Sequence, residues 1–329
     1  MRSTDLVRCL SDGEFHSGAD IGRALGISRA AVWKQVQTLD ALGLTVESVK
    51  GRGYRLAGGL DLLDKLLIDT AMNQVARSCV HGIDILHSVE STNSYIQKKC
   101  TSSGGNICLA EQQTAGRGRR GRTWVSPYGK NLYLSCSWVF EGGAAVLEGL
   151  SLAVGVALVR ALEVCNLGGV LLKWPNDLLW RGRKVAGVLL EVSGDASGRC
   201  QLVVGIGLNV SMSLRDASQI SQPWVDLNEI AIANKVSLPS RNNIAAEVLN
   251  QLLPLLRDYA DEGFSAWRDD WLSLDAYRGR EVRLASGVKE ELGVASGVDD
   301  GGALLLEQAG KIKKFSGGEV SLRLIGQSA

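Results

Sequence analysis

Apolar and polar positions change rhythm along the chain. Val32, Val36 and Leu39 recur at helical spacing behind Ser28, with Arg29, Trp33, Lys34 and Gln37 on the opposite face. That spacing predicts a helix opening after Ser28, whose hydroxyl suits an N-cap. A preceding helix over Gly18–Leu25 follows Ser17 and stops at Gly26, a residue that tolerates left-handed backbone. Residues 5–10 read as the end of a first helix. From Leu44 to Val49 the pattern alternates, and Tyr54-Arg55-Leu56 returns after the basic turn Lys50-Gly51-Arg52-Gly53, which predicts a hairpin. Angled helices followed by a basic hairpin match a winged helix-turn-helix, whose third helix enters the major groove. Ser28, Arg29, Trp33, Lys34, Gln37, Lys50 and Arg52 are the candidate DNA contacts. A purely protein-docking module is the alternative.

Ala57-Gly58-Gly59 reads as a flexible joint, and Leu62, Leu63, Leu66 and Leu67 as a helical stripe beginning at Asp61. Beyond it strands and helices mix. Residues 87–95 lead into a helix, 107–111 and 131–140 read as strands, and 144–164 as a long apolar helix. Strands follow at 170–173, 178–180, 184–192 and 200–208, with turns at 181–183 and 193–199. The expected class is α+β, with a largely antiparallel central sheet. Five short strands, at 281–284, 289–298, 303–306, 311–315 and 319–324, predict a small C-terminal β-barrel. The expected domains are 1–60, 61–272 and 273–329.

Composition narrows the setting. Lys+Arg 36 against Asp+Glu 35 leaves a net charge of +1, so any polyanionic partner must be met by a local patch. Residues 1–60 hold eight Lys/Arg against six Asp/Glu, a modest excess that suggests DNA binding as a dimer. The N-terminus shows no apolar leader, and the longest uncharged apolar stretch, 149–159, is short of the about 20 residues that cross a bilayer. Seven scattered cysteines without a C-x-x-C pair, and three histidines without metal spacing, argue against a structural zinc or a histidine-based centre. A cytoplasmic location with reduced thiols is expected.

Two clusters carry chemistry. Gly116-Arg117-Gly118-Arg119-Arg120-Gly121-Arg122, followed by Trp124, is too glycine-rich for a stable helix. Its backbone N–H groups and guanidinium forks suit phosphate. An RGG-like nucleic-acid contact and a solvated basic loop are equally open on composition, and the sequence is not a P-loop. The second cluster is Lys173-Trp174-Pro175-Asn176-Asp177, then Arg183-Lys184-Val185-Ala186-Gly187, then Gly205-Ile206-Gly207-Leu208-Asn209. Asn176, Asp177 and Asn209 offer oxygen ligands suited to Mg²⁺ with nucleotide phosphates, Asp177 first among them. Lys184 offers a point charge. A packing turn at Trp174-Pro175 is the bland reading.

Taken in order with Ser91-Thr92-Asn93, these motifs closely resemble the biotin protein ligase family. With the helix-turn-helix, essentially the whole chain resembles its bifunctional ligase and biotin operon repressor branch. The resemblance implies a class II synthetase-like central domain and an SH3-like C-terminal domain. It implies ATP-dependent formation of biotinyl-5′-AMP, then transfer of biotin to a lysine of the biotin carboxyl carrier protein of acetyl-CoA carboxylase. It also implies Mg²⁺, a homodimer when the adenylate is bound, and an inverted-repeat operator. Ser91, Thr92, Asn93, Gln113, Gly116, Arg117, Arg119, Arg120, Lys184, Gly187, Leu189 and Gly205 would meet biotin. Arg119, Arg122, Trp124, Lys173, Asn176, Asp177, Asn209 and Trp224 would meet ATP, with Lys184 and Arg119 catalytic. A lipoate or octanoate ligase, and a ligand sensor without ligase activity, are the rival readings.

Overall fold

The computed structural model describes residues 2–99, 104–194, 198–286, 289–316 and 320–326. Part of the expected 193–199 turn, Cys100, and Glu319 at the start of the last expected strand lie outside them.

The N-terminal module holds α1 (Arg2–Leu10), α2 (Gly18–Leu25), α3 (Arg29–Thr38) and a hairpin of β1 (Val46–Val49) and β2 (Gly53–Leu56). The first helix thus begins earlier than its apolar residues indicate. Ser17 and Ser28 cap α2 and α3 through backbone N–H groups of Asp20 and Ala31, at 3.1 and 3.2 Å. Val32, Val36 and Leu39 are buried with Leu6, Leu10, Ile21 and Leu56. The hairpin is fastened to the chain before α2, where His16 and Tyr54 exchange two backbone hydrogen bonds of 2.9 Å. Gly53 has φ +107°, and a Cβ there would lie 2.0 Å from the His16 carbonyl oxygen, so that close crossing requires glycine.

The expected joint is not free. Gly59 N–H donates to Leu56 and Leu60 N–H to Ser11, at 3.0 and 2.8 Å. Beyond it Arg241 grips the chain, donating from Nε to the Asp61 carbonyl at 2.8 Å and from Nη1 to that of Asn131 at 2.9 Å. Its Nη2 meets Glu111 at 2.6 Å, and the other Glu111 oxygen accepts the Leu63 N–H at 2.7 Å. The leucine stripe also departs from expectation. Asp64 caps the next helix, α4 (Lys65–Ala71), so Leu62 and Leu63 precede it. Leu66 and Leu67 then face solvent, 71% and 56% exposed, and Ile68 takes the buried position.

After α5 (Gln74–Ser78), the central sheet comprises β3 (Val80–Leu86), β4 (Gly105–Ala110), β5 (Leu132–Phe140), β6 (Val170–Lys173), β7 (Asp177–Trp180), β8 (Arg183–Gly194) and β9 (Cys200–Leu208). Their order is β3-β4-β5-β9-β8-β7-β6, with only β3 and β4 parallel. The edge strand β3 is an addition to the sequence reading, because His81, Gly82 and Asp84 blur its apolar alternation. Short α6 (Thr92–Gln97) covers one face with Ile96 against Cys108 and Val203. On the other face lie α7 (Leu150–Val164) and, after α8 (Leu227–Asn234), the long α9 (Arg241–Glu262). The apolar run Ala144–Val164 is therefore a core helix, preceded by a 3₁₀ turn and Gly149 at φ +71°.

α10 (Ser265–Leu274) leads into β10 (Glu281–Ser286), β11 (Lys289–Val298), β12 (Leu304–Gln308), β13 (Lys311–Phe315) and β14 (Val320–Leu324). These form one antiparallel sheet in the order β13-β12-β11-β10-β14. Its buried Val282, Leu284, Val298 and Leu306 join the central core, and Trp174 Nε1 donates to the Gly302 carbonyl at 3.1 Å.

The Arg241–Glu111 pair, 3% and 6% exposed, sets up a sharp test. Removing one partner strands a buried charge, so Arg241→Ala should lower stability by about 3–5 kcal/mol, read from the urea midpoint of the main unfolding transition. A loss within error of an exposed control such as Arg257→Ala would refute the pinning role.

Candidate functional site

The site is a patch of sheet from which side chains are missing. Gly187 pairs with Gly207 and Leu189 with Gly205 across β8 and β9, all on the face that α6 only partly covers. A Cβ on Gly207 would lie 2.3 Å from the Trp124 indole, and one on Gly205 would lie 2.2 Å from Asn93 Oδ1. The Trp124 ring lies in this slot with its indole nitrogen buried and unpaired, and Lys184 Nζ stands 5.3 Å from the ring centre.

One end of the slot is polar, and the charged groups beside it, Arg117 and Glu191, are paired with each other. Ser91 caps α6, and Ser91, Thr92 and Asn93 are all buried. Gln113 Oε1 accepts the Thr92 N–H at 2.9 Å, while its Nε2 donates to Ser126 Oγ at 3.2 Å. Ser135 Oγ sits 2.7 Å from Thr92 Oγ1 and 2.6 Å from Asn93 Oδ1. Ser126 follows the arginine cluster in sequence, whereas Ser135 belongs to no motif. Two serines, Ser135 and Ser137, inside the otherwise apolar run 132–140 were the available signal for it.

The other end is cationic. Asp177 receives Lys184 Nζ at 2.5 Å and Lys173 Nζ at 3.8 Å. Arg119 Nη1 donates to Asn176 Oδ1 at 3.1 Å, and the Asn176 amide donates to the Val188 carbonyl at 2.8 Å. Burial lowers the proton affinity of Arg119 and Lys173 from their ordinary values, opposed in each by the Asp177 carboxylate. Arg122 and Arg323 add positive potential at Lys173, whose ammonium lies 5.8 Å from the Tyr277 ring centre. Tyr277 and Arg323, from the C-terminal module, were invisible in the motifs because they reach the site only through tertiary packing. Such an excess of cations around one carboxylate suits a polyphosphate.

Above the slot, residues 116–122 form a loop that lines a cleft of about 910 Å³ with Val188, Leu189 and Glu191. Arg120 adopts left-handed backbone, φ 61°. Arg117 donates to Ser94 Oγ and Glu191 Oε2, each at 3.0 Å. Trp224 stands beside Lys184 rather than in the slot, because residues 223–225 pair with Lys184 as a short parallel bridge, with N–H···O distances of 3.0 Å. Asn209 is a buried brace of that bridge. Its amide donates to the Val225 carbonyl at 3.1 Å and, at 3.4 Å, to that of Lys184.

Among the described residues no three His, Cys, Asp or Glu side chains converge as a metal cage. Asp177 is already matched by two lysines, so these residues do not fit a protein-held Mg²⁺.

In the N-terminal module, Arg29, Trp33, Lys34, Gln37, Lys50 and Arg52 are exposed on α3 and the hairpin tip. Trp33 is 55% exposed, so it is not packed under the wing. Ser28 is occupied as the α3 cap. Phe15, which the motif reading passed over, carries the guanidinium of Arg52 at 4.1 Å and that of Arg55 at 4.5 Å from its ring centre.

Residues 85–209 match the biotin/lipoate A/B protein ligase family, residues 2–55 an HTH domain, and residues 278–323 the biotin protein ligase C-terminal domain. The bifunctional ligase/repressors BirA of Salmonella typhimurium and Escherichia coli are each 41% identical over 97% of this chain and 96% of their own length. That of Bacillus subtilis is 31% identical over 98% of this chain and 100% of its own. The biotin protein ligase of Aquifex aeolicus, solved with biotin and ATP, superposes with a TM-score of 0.62 at 30% identity, covering 74% of this chain and 99% of that one. With helix-turn-helix, glycine-floored slot and C-terminal sheet together in one polypeptide, the chain belongs to the biotin protein ligase family, in its bifunctional ligase/repressor branch.

Proposed function

We propose that the chain joins biotin to ATP as biotinyl-5′-AMP, releasing pyrophosphate. It then passes the biotinyl group to a lysine of the biotin carboxyl carrier protein of acetyl-CoA carboxylase, releasing AMP. Residues 1–60 act as the DNA-binding domain, 61–272 as the catalytic domain and 273–329 as its C-terminal support. The observation that carries the reading is the slot itself, hydrogen-bonding and without net charge at the Ser91–Asn93 end, where Arg117 and Glu191 pair, and cationic at Lys184. That polarity matches a ligand with a neutral ureido ring at one end and a carboxylate at the other.

In this reading Ser91, Thr92, Asn93 and Gln113, with the backbone of Gly116 and Arg117, hold the ureido ring. The chain of biotin lies over Gly187, Leu189 and Gly205. A carboxylate oxygen attacks the α-phosphorus, the bond to pyrophosphate breaks, and charge builds on oxygens beside Lys184, Arg119 and Arg122. Fixed cations in a water-poor slot stabilise that charge without reorganising. Arg120 lies within the closing loop, on the biotin side. Trp124 must leave the space it occupies, and with Trp224 it then flanks the adenine, while Lys173, Asn176, Asp177 and Asn209 shape the nucleotide side. Mg²⁺ would travel with the phosphates of ATP. In the second step the lysine amine attacks the acyl carbon, AMP leaves with the bonding electron pair, and the amine proton passes to solvent.

Lys184→Ala should slow pyrophosphate release by about 10²–10³, while transfer from preformed biotinyl-AMP falls far less. Single-turnover assays of each half-reaction read this directly. Equal slowing of both would contradict the assignment of Lys184 to the anion–anion encounter.

The chain also represses a biotin biosynthesis operon when the adenylate is bound, using α3 and the wing on an inverted repeat. Ordering of the 116–122 loop favours a homodimer, and joining two half-sites raises avidity through effective concentration. Apo carrier protein competes for the same surface. These events place the protein in the cytoplasm. Sedimentation with a non-hydrolysable adenylate analogue should show a raised dimer fraction and tighter operator binding in parallel. Equal dimer fractions with and without the analogue would sink this coupling.

A further inference from the structure

One carboxylate at the slot has no part in the reaction just described. Glu191 follows Gly187 and Leu189 at alternate positions of β8, so its side chain rises on the same face as the site. Its Oε2 accepts from Asn93 Nδ2 at 2.7 Å and from Arg117 Nη2 at 3.0 Å. It thus joins three pieces of chain far apart in sequence, namely the first turn of α6, the start of the arginine loop and the sheet. Through Asn93 the connection continues inward, because Asn93 Oδ1 lies 2.6 Å from Ser135 Oγ. Glycines at 116, 118 and 121 give the loop few side chains with which to anchor itself.

We propose that Glu191 is a positioning residue with two separable duties. Its oxygen fixes the Asn93 amide, and so the hydrogen-bonding end of the slot. Its negative charge latches Arg117, and so the first turn of the loop, against the sheet. The two duties differ in strength for a physical reason. Asn93 is buried, whereas the Arg117 and Glu191 side chains are 44% and 26% exposed. A part-exposed ion pair is weak and screened by salt, which suits a latch that must open to admit substrates. The first duty rests on the biotin-ligase reading of the slot, and the second does not.

Two variants separate the duties. Glu191→Gln keeps an acceptor for Asn93 but removes the charge, whereas Glu191→Ala removes both. Trypsin cleavage at Arg119, Arg120 and Arg122 in the ligand-free protein, mapped by mass spectrometry, reports loop opening. Glu191→Gln should speed it by about fivefold, with the difference shrinking at high salt. Arg117→Gln should match it, and the double variant should be no faster than either single one. For the first duty, biotin affinity by calorimetry should weaken by about tenfold in Glu191→Ala and by less than about twofold in Glu191→Gln, where the acceptor is kept. Wild-type cleavage rates in Glu191→Gln, or multiplying effects in the double variant, would overturn the latch. Equal biotin affinities in the two Glu191 variants would overturn the orienting duty. If the wild-type protein bound no biotin, the ligase reading would fail and the orienting duty with it, while the trypsin result would still decide the latch.

Discussion

Gly187 and Gly207 face one another across two fully hydrogen-bonded strands, and nearly everything else at the site depends on that gap. In a sheet whose other face is filled by α7 and α9, a pair of missing side chains is the simplest way to make a slot without breaking the ladder. Closeness of approach explains the glycines, since neither needs left-handed backbone; a Cβ on Gly207 would collide with Trp124, and one on Gly187 would crowd Lys184 and Trp124 at 3.2 and 3.3 Å. The strands are held by Val188, Val204, Ile206 and Leu208, which pack into the core on the other face, and they fix the backbone that carries Lys184 and Asp177.

The slot also explains the unequal mobility its surroundings require. Its floor is sheet, and one end is a hydrogen-bonded cluster running from Gln113 to Ser135. Its roof is a loop of arginines and glycines tethered by side-chain contacts such as Arg117–Glu191 and Arg119–Asn176. The part-exposed Arg117–Glu191 ion pair among them is worth little individually. In the proposed reaction, a roof held this way would open for substrates and add positive charge on closing over an anion, with water excluded from a reactive anhydride.

The chain that follows the loop packs into the winged helix. Tyr128, four residues after Trp124, is buried in the apolar core of the N-terminal module and hydrogen-bonded to His87, whose proton affinity burial lowers. His87 in turn precedes Ser91 at the slot. The segment after the arginine loop therefore packs on the winged helix, the segment before Ser91 meets it through Tyr128, and Arg241 and Asn242 fasten the intervening chain at Asp61 and Leu62. Glycines at 58 and 59 suggest a hinge in the sequence, but these hydrogen bonds make it a fixed crossing.

Local chemistry made much of this legible from the chain alone. The caps at Ser17 and Ser28, the glycine stops and the alternation of β4 to β9 depend on neighbours in sequence, and the motifs at 91–93, 116–122, 173–177 and 183–187 identified the family. Other features depend on what packs against what. Leu66 and Leu67 have the spacing of a core stripe, yet Asp64 caps the helix in a phase that turns them to solvent. Asn209 has the side chain of a metal ligand, but its amide braces Val225. Ser135, Glu191, Tyr277 and Arg323 carry no motif, because each matters only through a partner brought near by the sheet or the C-terminal module. Residue type and short spacing determined the elements and the chemistry available. Long-range packing alone decided which side chains that chemistry would meet.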